Sequence, residues 1–133
     1  MLNLPGYKII EHIYEYENMV FYRGYSLTDG SPVVVKTLMD SKITSDEIFR
    51  LLHEYEFSRK LDIDGIVRIL DMNYIGNFLA IVMEDHSAIP LREYMKGRKI
   101  DLEQVLDIGI QITKILSLIH QQVLDQIYQN KNV

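Results

Sequence analysis

The first third of the chain shows the hydrophobic pattern of short β-strands. Apolar and polar residues partly alternate in YKIIEHIY, and aromatic and β-branched side chains dominate MVFYRGY. A continuous apolar run, SPVVVKTL, follows the turn sequence TDGSP. Strands that follow one another through tight turns, without a helix between them, form antiparallel meanders. The pattern therefore predicts three consecutive antiparallel strands.

The period of the apolar positions then changes to that of a helix. Within SDEIFRLLHEYEFSRKL, apolar side chains recur at helical spacing at Ile48, Leu51, Leu52, Tyr55 and Leu61. Thr44 or Ser45 can cap this helix, and two acidic residues follow at the positive end of its dipole. The sequence then predicts a hairpin that turns at Gly76–Asn77. A short helix follows after Pro90, and a long helix runs from Asp101 to about Gln122. This order predicts an α+β fold with a five-stranded antiparallel sheet.

Composition limits the classes of protein that fit this pattern. A chain of 133 residues, 47% of them hydrophobic, suits one domain with a real core. The net charge of −5 argues against nucleic-acid binding, which needs a clustered basic surface. No apolar run reaches membrane-spanning length, the N-terminus does not resemble a signal peptide, and the absence of cysteine excludes disulfides and thiolate metal sites. We therefore expect a soluble cytoplasmic protein that contacts neither nucleic acid nor membrane.

Six short motifs carry a resemblance to a known family. In chain order they are VVVK, HEYEFSRKL, LDIDGIVRILD, LAIVMED, IPLREYM and VLDIGIQITKILSLIHQQ. Together they resemble the small lobe and the first helices of the large lobe of a eukaryotic-type serine/threonine protein kinase domain. The likeness covers about residues 6–122 and is to the kinase-like domains that head large bacterial, often cyanobacterial, signalling proteins.

The resemblance also implies a division of the chain. Residues 1–86 correspond to the small lobe, residues 87–122 to the helices after the hinge, and residues 123–133 to a divergent tail. Kinases continue into a His-Arg-Asp catalytic loop, and Ile127 falls at the position of its aspartate base. Isoleucine cannot accept a proton, so we assign no catalytic residue and no metal ligand. We expect a kinase domain cut short by truncation or frameshift that cannot transfer phosphate alone.

A nucleotide site follows from the same resemblance. Lys36 on the third strand would neutralise the α- and β-phosphates, with its ammonium group oriented by Glu54 of the first helix. Met83 would guard the back of the pocket at the start of a hinge that runs to His86. The nucleotide-binding residues implied are Ile13, Phe21, Val34, Lys36, Glu54, Met83, Glu84 and His86. Two alternatives stay open, namely that Lys36 is an ordinary strand lysine and that the apolar positions are only sheet core.

The turn between the first two strands departs from the kinase pattern. Kinases carry a Gly-x-Gly-x-x-Gly sequence there, whereas this chain has Tyr14, Tyr16 and Met19 at the three glycine positions. A residue with a Cβ resists positive φ and blocks close approach of backbone to phosphate. The sequence therefore predicts a hairpin that packs on itself and a weak ATP site, with magnesium present only if ATP binds.

The long helix raises the question of a partner. Apolar residues cover most of its circumference between residues 102 and 122, and a helix of this kind is normally buried on several sides. A protein partner or self-association through this segment would supply that burial. Three functions stay open: an ATP-binding fragment without transfer activity, a pseudokinase that serves as an interaction module, and part of an active kinase completed by further sequence.

Overall fold

The computed structural model, which describes residues 2–38, 44–76 and 78–131, contains five strands and three helices in the predicted order. Their bounds are β1 Tyr7–Tyr16, β2 Met19–Ser26, β3 Pro32–Leu38, α1 Ser45–Ser58, β4 Ile69–Ile75, β5 Phe78–Glu84, α2 Leu91–Met95 and α3 Leu102–Lys131.

The strands form one antiparallel sheet with the order β1-β2-β3-β5-β4. This arrangement confirms the predicted α+β fold with a five-stranded antiparallel sheet. Strand β3 lies at the centre because β5 pairs with it on the side away from β2. The β4–β5 turn begins at Gly76, whose φ of +59° suits glycine, while Asn77 of the predicted turn lies outside the described residues.

Alternation along the strands divides the core into two clusters, because successive side chains of a strand point to opposite faces of the sheet. The cluster on one face is built from Leu4, Ile9, Val33, Val35, Ala80 and Val82. The cluster on the other face contains Leu38, Leu79 and Ile81 together with Leu51 of α1. We call this second side the α1 face; it is the side on which the sheet meets the helix.

The two edges of the sheet meet through a polar contact. The hydroxyl of Tyr7 on β1 donates a hydrogen bond to Oδ2 of Asp71 on β4 over 3.1 Å, and the side-chain amide of Asn73 donates to the same oxygen over 3.0 Å. Burial and the bond to Asp71 raise the pKa of Tyr7 above its usual value. Since β1 and β4 are the edge strands, the sheet must curl strongly to allow this contact.

Helix α1 begins with a complete capping box. The Thr44 hydroxyl accepts a hydrogen bond from the backbone N–H of Glu47 over 3.2 Å, and Oε2 of Glu47 accepts one from the Thr44 N–H over 2.9 Å. Of the two caps that the sequence allows, the structure therefore uses Thr44. Hydrogen bonds from the Thr44 N–H and from the Asn18 amide lower the pKa of Glu47. Its carboxylate therefore stabilises the fold above its ordinary pKa, and this contribution is lost as the pH falls.

Replacement of the cap tests this description of α1. We expect Thr44→Ala to lower the free energy of unfolding by about 1 kcal/mol at neutral pH, because the Glu47 N–H loses its acceptor. Urea denaturation measures the change, and Ser45→Ala, which removes a neighbouring hydroxyl outside the cap, is the matched control. An equal loss in both variants would contradict the capping assignment.

The described residues separate into two compact units, and the sheet with α1 belongs to the first, which spans residues 1–60 and 67–86. The second unit, residues 61–66 and 87–133, contains α2 and α3. Within it, a Cβ at Gly65, where φ is +94°, would lie 2.8 Å from Cδ1 of Ile115 on α3. The Gln122 amide also donates to the Asp62 carbonyl over 3.3 Å. These contacts hold the 61–66 segment against α3.

Helix α3 is longer than the sequence analysis predicts. It continues to Lys131 rather than ending near Gln122. The segment after Gln122 has neither glycine nor proline, and its apolar residues Val123 and Ile127 keep the helical spacing, so no local signal ends the helix there. In the part of the chain that the structure describes, no helix combines the length and the apolar character needed to cross a membrane.

Candidate nucleotide-binding site

The register of the sheet brings most of the predicted site residues together on the α1 face. Cross-strand pairing aligns Phe21, Lys36 and Ile81 in one row over β2, β3 and β5. The next row, toward the end of β5, contains Arg23, Val34 and Met83. Directly opposed residues of antiparallel strands share a face, with Cβ atoms about 5 Å apart. The candidate site is therefore a short patch of two adjacent rows within the first unit.

Lys36 is held in a defined position by α1. Its Nζ donates hydrogen bonds to Oε1 and Oε2 of Glu54 over 2.8 and 2.9 Å. The lysine side chain is 15% exposed, whereas that of Glu54 is 44% exposed. An ion pair with one partner so open to solvent contributes about 1 kcal/mol or less to stability. The main consequence of the contact is therefore that it orients the ammonium group. Glu56, two residues further along α1, lies within 3.7 Å of Arg59 instead.

An aromatic pair lies beside this lysine. The rings of Tyr14 and Phe21 stack nearly parallel, with centroids 4.4 Å apart, and Nζ of Lys36 lies 5.8 Å from the Phe21 centroid. Burial raises the pKa of the Tyr14 phenol. Tyr14 reaches this place because β1 is irregular between His12 and Tyr14, where Ile13 is the additional residue. Tyr14 thus lies directly opposite Phe21, and Ile13 is half-buried without a partner residue in the β2 register.

The β1–β2 turn is closed and attached to α1. Tyr16 and Met19 are paired, which leaves only Glu17 and Asn18 in the turn, and Glu17 has a φ of +52°. The side-chain amide of Asn18 donates to Oε1 of Glu47 at the start of α1. This tight hairpin shows no broad loop of exposed N–H groups of the kind that cradles phosphates. Its geometry agrees with the predicted hairpin that packs on itself.

The segment after β5 leaves the sheet at Asp85. The N–H of Asp85 donates to the carbonyl of Pro32 over 3.2 Å, and the N–H of Glu84 donates to the carbonyl of Arg68 over 3.0 Å. Proline has no N–H to donate in return, so the β3–β5 ladder cannot continue past this point. The side chain of Glu84 lies within 3.1 Å of the exposed His86 ring. Alternation therefore places Met83 on the α1 face, while Glu84 and His86 contact each other at the C-terminal end of β5.

Sequence reasoning missed one ion pair near the C-terminal end of β5, between Arg23 and Asp85. Nε of Arg23 donates to Oδ2 of Asp85 over 2.6 Å, and its NH1 group lies 3.3 Å from Oε1 of Glu11. The Asp85 side chain is only 4% exposed. The hydrogen bond to Asp85 raises the pKa of the Arg23 guanidinium. The partners are 62 residues apart in the chain, and no local pattern signals such a contact.

Comparison with protein families decides what this arrangement belongs to. The family model for the protein tyrosine and serine/threonine kinase matches residues 14–124, which is most of the chain. The chain belongs to the protein kinase family. None of the curated proteins compared with the chain matches it significantly. The match includes both rows of the α1 face, all of α1 and the segment from Met83 to His86, which we call the hinge as in other kinases.

Kinases in general use ATP together with magnesium, and the residues of this site fit the two groups differently. The ammonium group of Lys36, held by Glu54, has the charge that suits a phosphate. The backbone at the C-terminal end of β5, where the hinge begins, suits a base. Among the residues that the structure describes, no group of three His, Asp or Glu side chains could hold a metal ion. The contact between Lys36 and Glu54 is therefore the feature of this site that fits a phosphate group.

Proposed function

We propose that this kinase domain binds ATP through the α1 face of its small lobe, as in serine/threonine kinases of signalling proteins. The observation that supports this most strongly is the bidentate contact of Lys36 with Glu54, at 2.8 and 2.9 Å. A lysine held in this way by a carboxylate keeps one N–H for a further acceptor, and its Nζ lies 5.8 Å from the centroid of the Phe21 ring. That is the geometry with which kinases bind the α- and β-phosphates.

The remaining contacts of ATP follow from the two rows. Phe21 and Val34 would lie against the base, with Met83 behind it, and the backbone of Glu84 and His86 would provide its hydrogen bonds. The closed turn at Tyr16–Met19 would contribute little to the phosphates, since its side chains keep the backbone at a distance. We therefore propose a weak site in which the lysine and the hinge provide most of the affinity.

Binding and transfer are separate in this proposal. Phosphoryl transfer needs a base that positions the attacking hydroxyl and carboxylate or amide ligands for magnesium. By the resemblance described above, Ile127 would stand at the position of the base, and isoleucine can serve neither purpose. We propose that residues 1–133 bind nucleotide without transferring phosphate.

Calorimetric titration of the wild-type chain with ATP, adenosine and tripolyphosphate tests the proposed site. We expect ATP to bind more tightly than either fragment, because it alone contacts both the hinge and Lys36. Thermal unfolding in the presence of ATP should show a matching stabilisation of RT ln(1 + [ATP]/Kd). Absence of heat and of stabilisation at millimolar ATP would overturn the proposal.

A second candidate function is favoured by helix α3. Its side chains include ten large hydrophobic or aromatic residues that are 46–73% exposed, namely Leu102, Val105, Leu106, Ile110, Ile112, Leu116, Leu118, Leu124, Ile127 and Tyr128. Exposed apolar surface on this scale is typical of a protein interface. We propose that α3 pairs with a second copy of the chain, so that the domain acts as a pseudokinase-type interaction module.

Sedimentation equilibrium tests this second function. We expect the apparent mass of the wild type to rise with concentration, and Ile110→Glu to weaken the association at least about tenfold by placing a charge in the interface. Gln111→Glu adds the same charge at the next, polar position and is the matched control. A wild type that stays monomeric at all concentrations would exclude the interaction module.

A further inference from the structure

The pairing of Arg23 with Asp85 is the contact near the candidate site that the kinase resemblance does not explain. Arg23 projects from the α1 face of β2, directly opposite Val34, and reaches past β3 to the first residue beyond β5. It is 28% exposed and has an acidic neighbour on each side, Asp85 at 2.6 Å and Glu11 at 3.3 Å. One side chain thus connects β1, β2 and the hinge.

The backbone around Asp85 explains why such a connection matters. The N–H of Asp85 is attached to β3 through the Pro32 carbonyl, but Pro32 cannot donate a second ladder bond. The chain therefore leaves the sheet at Asp85 with the backbone of the hinge only partly held by strand pairing. The bond from Arg23 to the Asp85 side chain adds an attachment from the opposite side of β3.

The burial of Asp85 gives this attachment its strength. A carboxylate that is 4% exposed has lost most of its contact with water, so the charge-assisted hydrogen bond from the guanidinium contributes to its solvation. Removal of Arg23 takes away this charged donor at 2.6 Å. Any adjustment of Asp85 to that loss shifts the peptide groups on its two sides.

We propose that Arg23 is a positioning residue that holds the hinge in the conformation that recognises the nucleotide base. The proposal rests on the proposed ATP site and deepens it by assigning recognition of the base and recognition of the phosphates to different residues. Arg23 acts through Asp85 on the hinge backbone, whereas Lys36, one row away on β3, acts on the phosphates. The two functions should therefore be separable by mutation.

Two measurements on Arg23→Met test this assignment. Hydrogen exchange of the free protein should accelerate by about tenfold or more at the amides of residues 84–86 and stay unchanged in the β2–β3 ladder. Adenosine should bind roughly tenfold to a hundredfold more weakly, because a misplaced recognition group loses affinity on that scale, while tripolyphosphate binding changes less than about twofold. Arg59→Met, which removes an arginine from an exposed ion pair at the C-terminal end of α1, is the matched control.

Arg23→Lys and Asp85→Ala keep the test decisive if the methionine variant folds poorly. Lysine retains the charge without the planar guanidinium and should recover most of the hinge protection and adenosine affinity, while Asp85→Ala, which removes the acceptor, should behave like Arg23→Met. A merely stabilising arginine would instead change adenosine and tripolyphosphate binding together. Unchanged exchange at residues 84–86 in all these variants would overturn the proposal. If the wild type binds no nucleotide, the ATP site is wrong, and the exchange data still decide whether Arg23 positions the hinge.

Discussion

Lys36→Met is expected to remove the stabilisation of this kinase domain by ATP and to weaken ATP binding about tenfold to a hundredfold. The ammonium group forms charge-assisted contacts, each worth about 1.5–3 kcal/mol, and methionine keeps the length of the side chain without them. Adenosine binding, which does not involve the phosphates, should change little. Calorimetry with ATP and adenosine measures both affinities.

The free protein provides the control for this prediction. Since Glu54 is largely exposed, removal of its partner should lower the free energy of unfolding by no more than about 1 kcal/mol. Lys8→Met removes a charge from the edge strand β1, two strands away from Lys36 on β3, and should leave ATP affinity unchanged. Equal ATP affinity in Lys36→Met and wild type would mean that Lys36 is an ordinary strand lysine.

Leu51→Ala should have the largest effect on stability. Leu51 is completely buried between α1 and the sheet, in the cluster with Leu38, Leu79 and Ile81. Truncation of a buried leucine costs about 2–5 kcal/mol, which is a large part of the roughly 5–15 kcal/mol that stabilises a typical domain. Since α1 also carries Glu54, its loosening should weaken ATP binding as well. Chemical denaturation and an ATP titration measure the two effects.

Phe49→Ala is the matched control for this helix. Phe49 lies on the same helix but is 69% exposed, so its truncation should change the free energy of unfolding by less than about 0.5 kcal/mol. A similar loss of stability in the two variants would show that α1 does not dock through Leu51. Loss of stability in Leu51→Ala with unchanged ATP affinity would separate the packing of α1 from the orientation of Lys36.

The elements were predictable because each is encoded by a local pattern. Alternation and apolar runs identified the strands, and the change to helical spacing at Ile48 and Leu51 identified α1. The predicted end of α3 was wrong by nine residues, because the sequence after Gln122 contains no signal that stops a helix. Element boundaries depend on weak local preferences, whereas element types depend on repeated ones.

The candidate site was predictable only in part, and only through the resemblance to kinases. Ordered motifs singled out Lys36 and Glu54, which the structure brings to 2.8 Å. The place of Ile13 could not be predicted, because the irregular pairing of β1 puts Tyr14 opposite Phe21 instead. A bulge shifts the register by one residue and exchanges the side chains on the two faces of a strand.

The sequence by itself determined the order of strands and helices, the antiparallel sheet and the membership in the kinase family. These depend on periodicity and on motifs that repeat a known order. Only the tertiary structure decided that Tyr14 stacks on Phe21 and that Arg23 reaches Asp85, 62 residues further along the chain. Such contacts are set by register, bulges and the curl of the sheet, and these arise when the strands pack together rather than within any one strand.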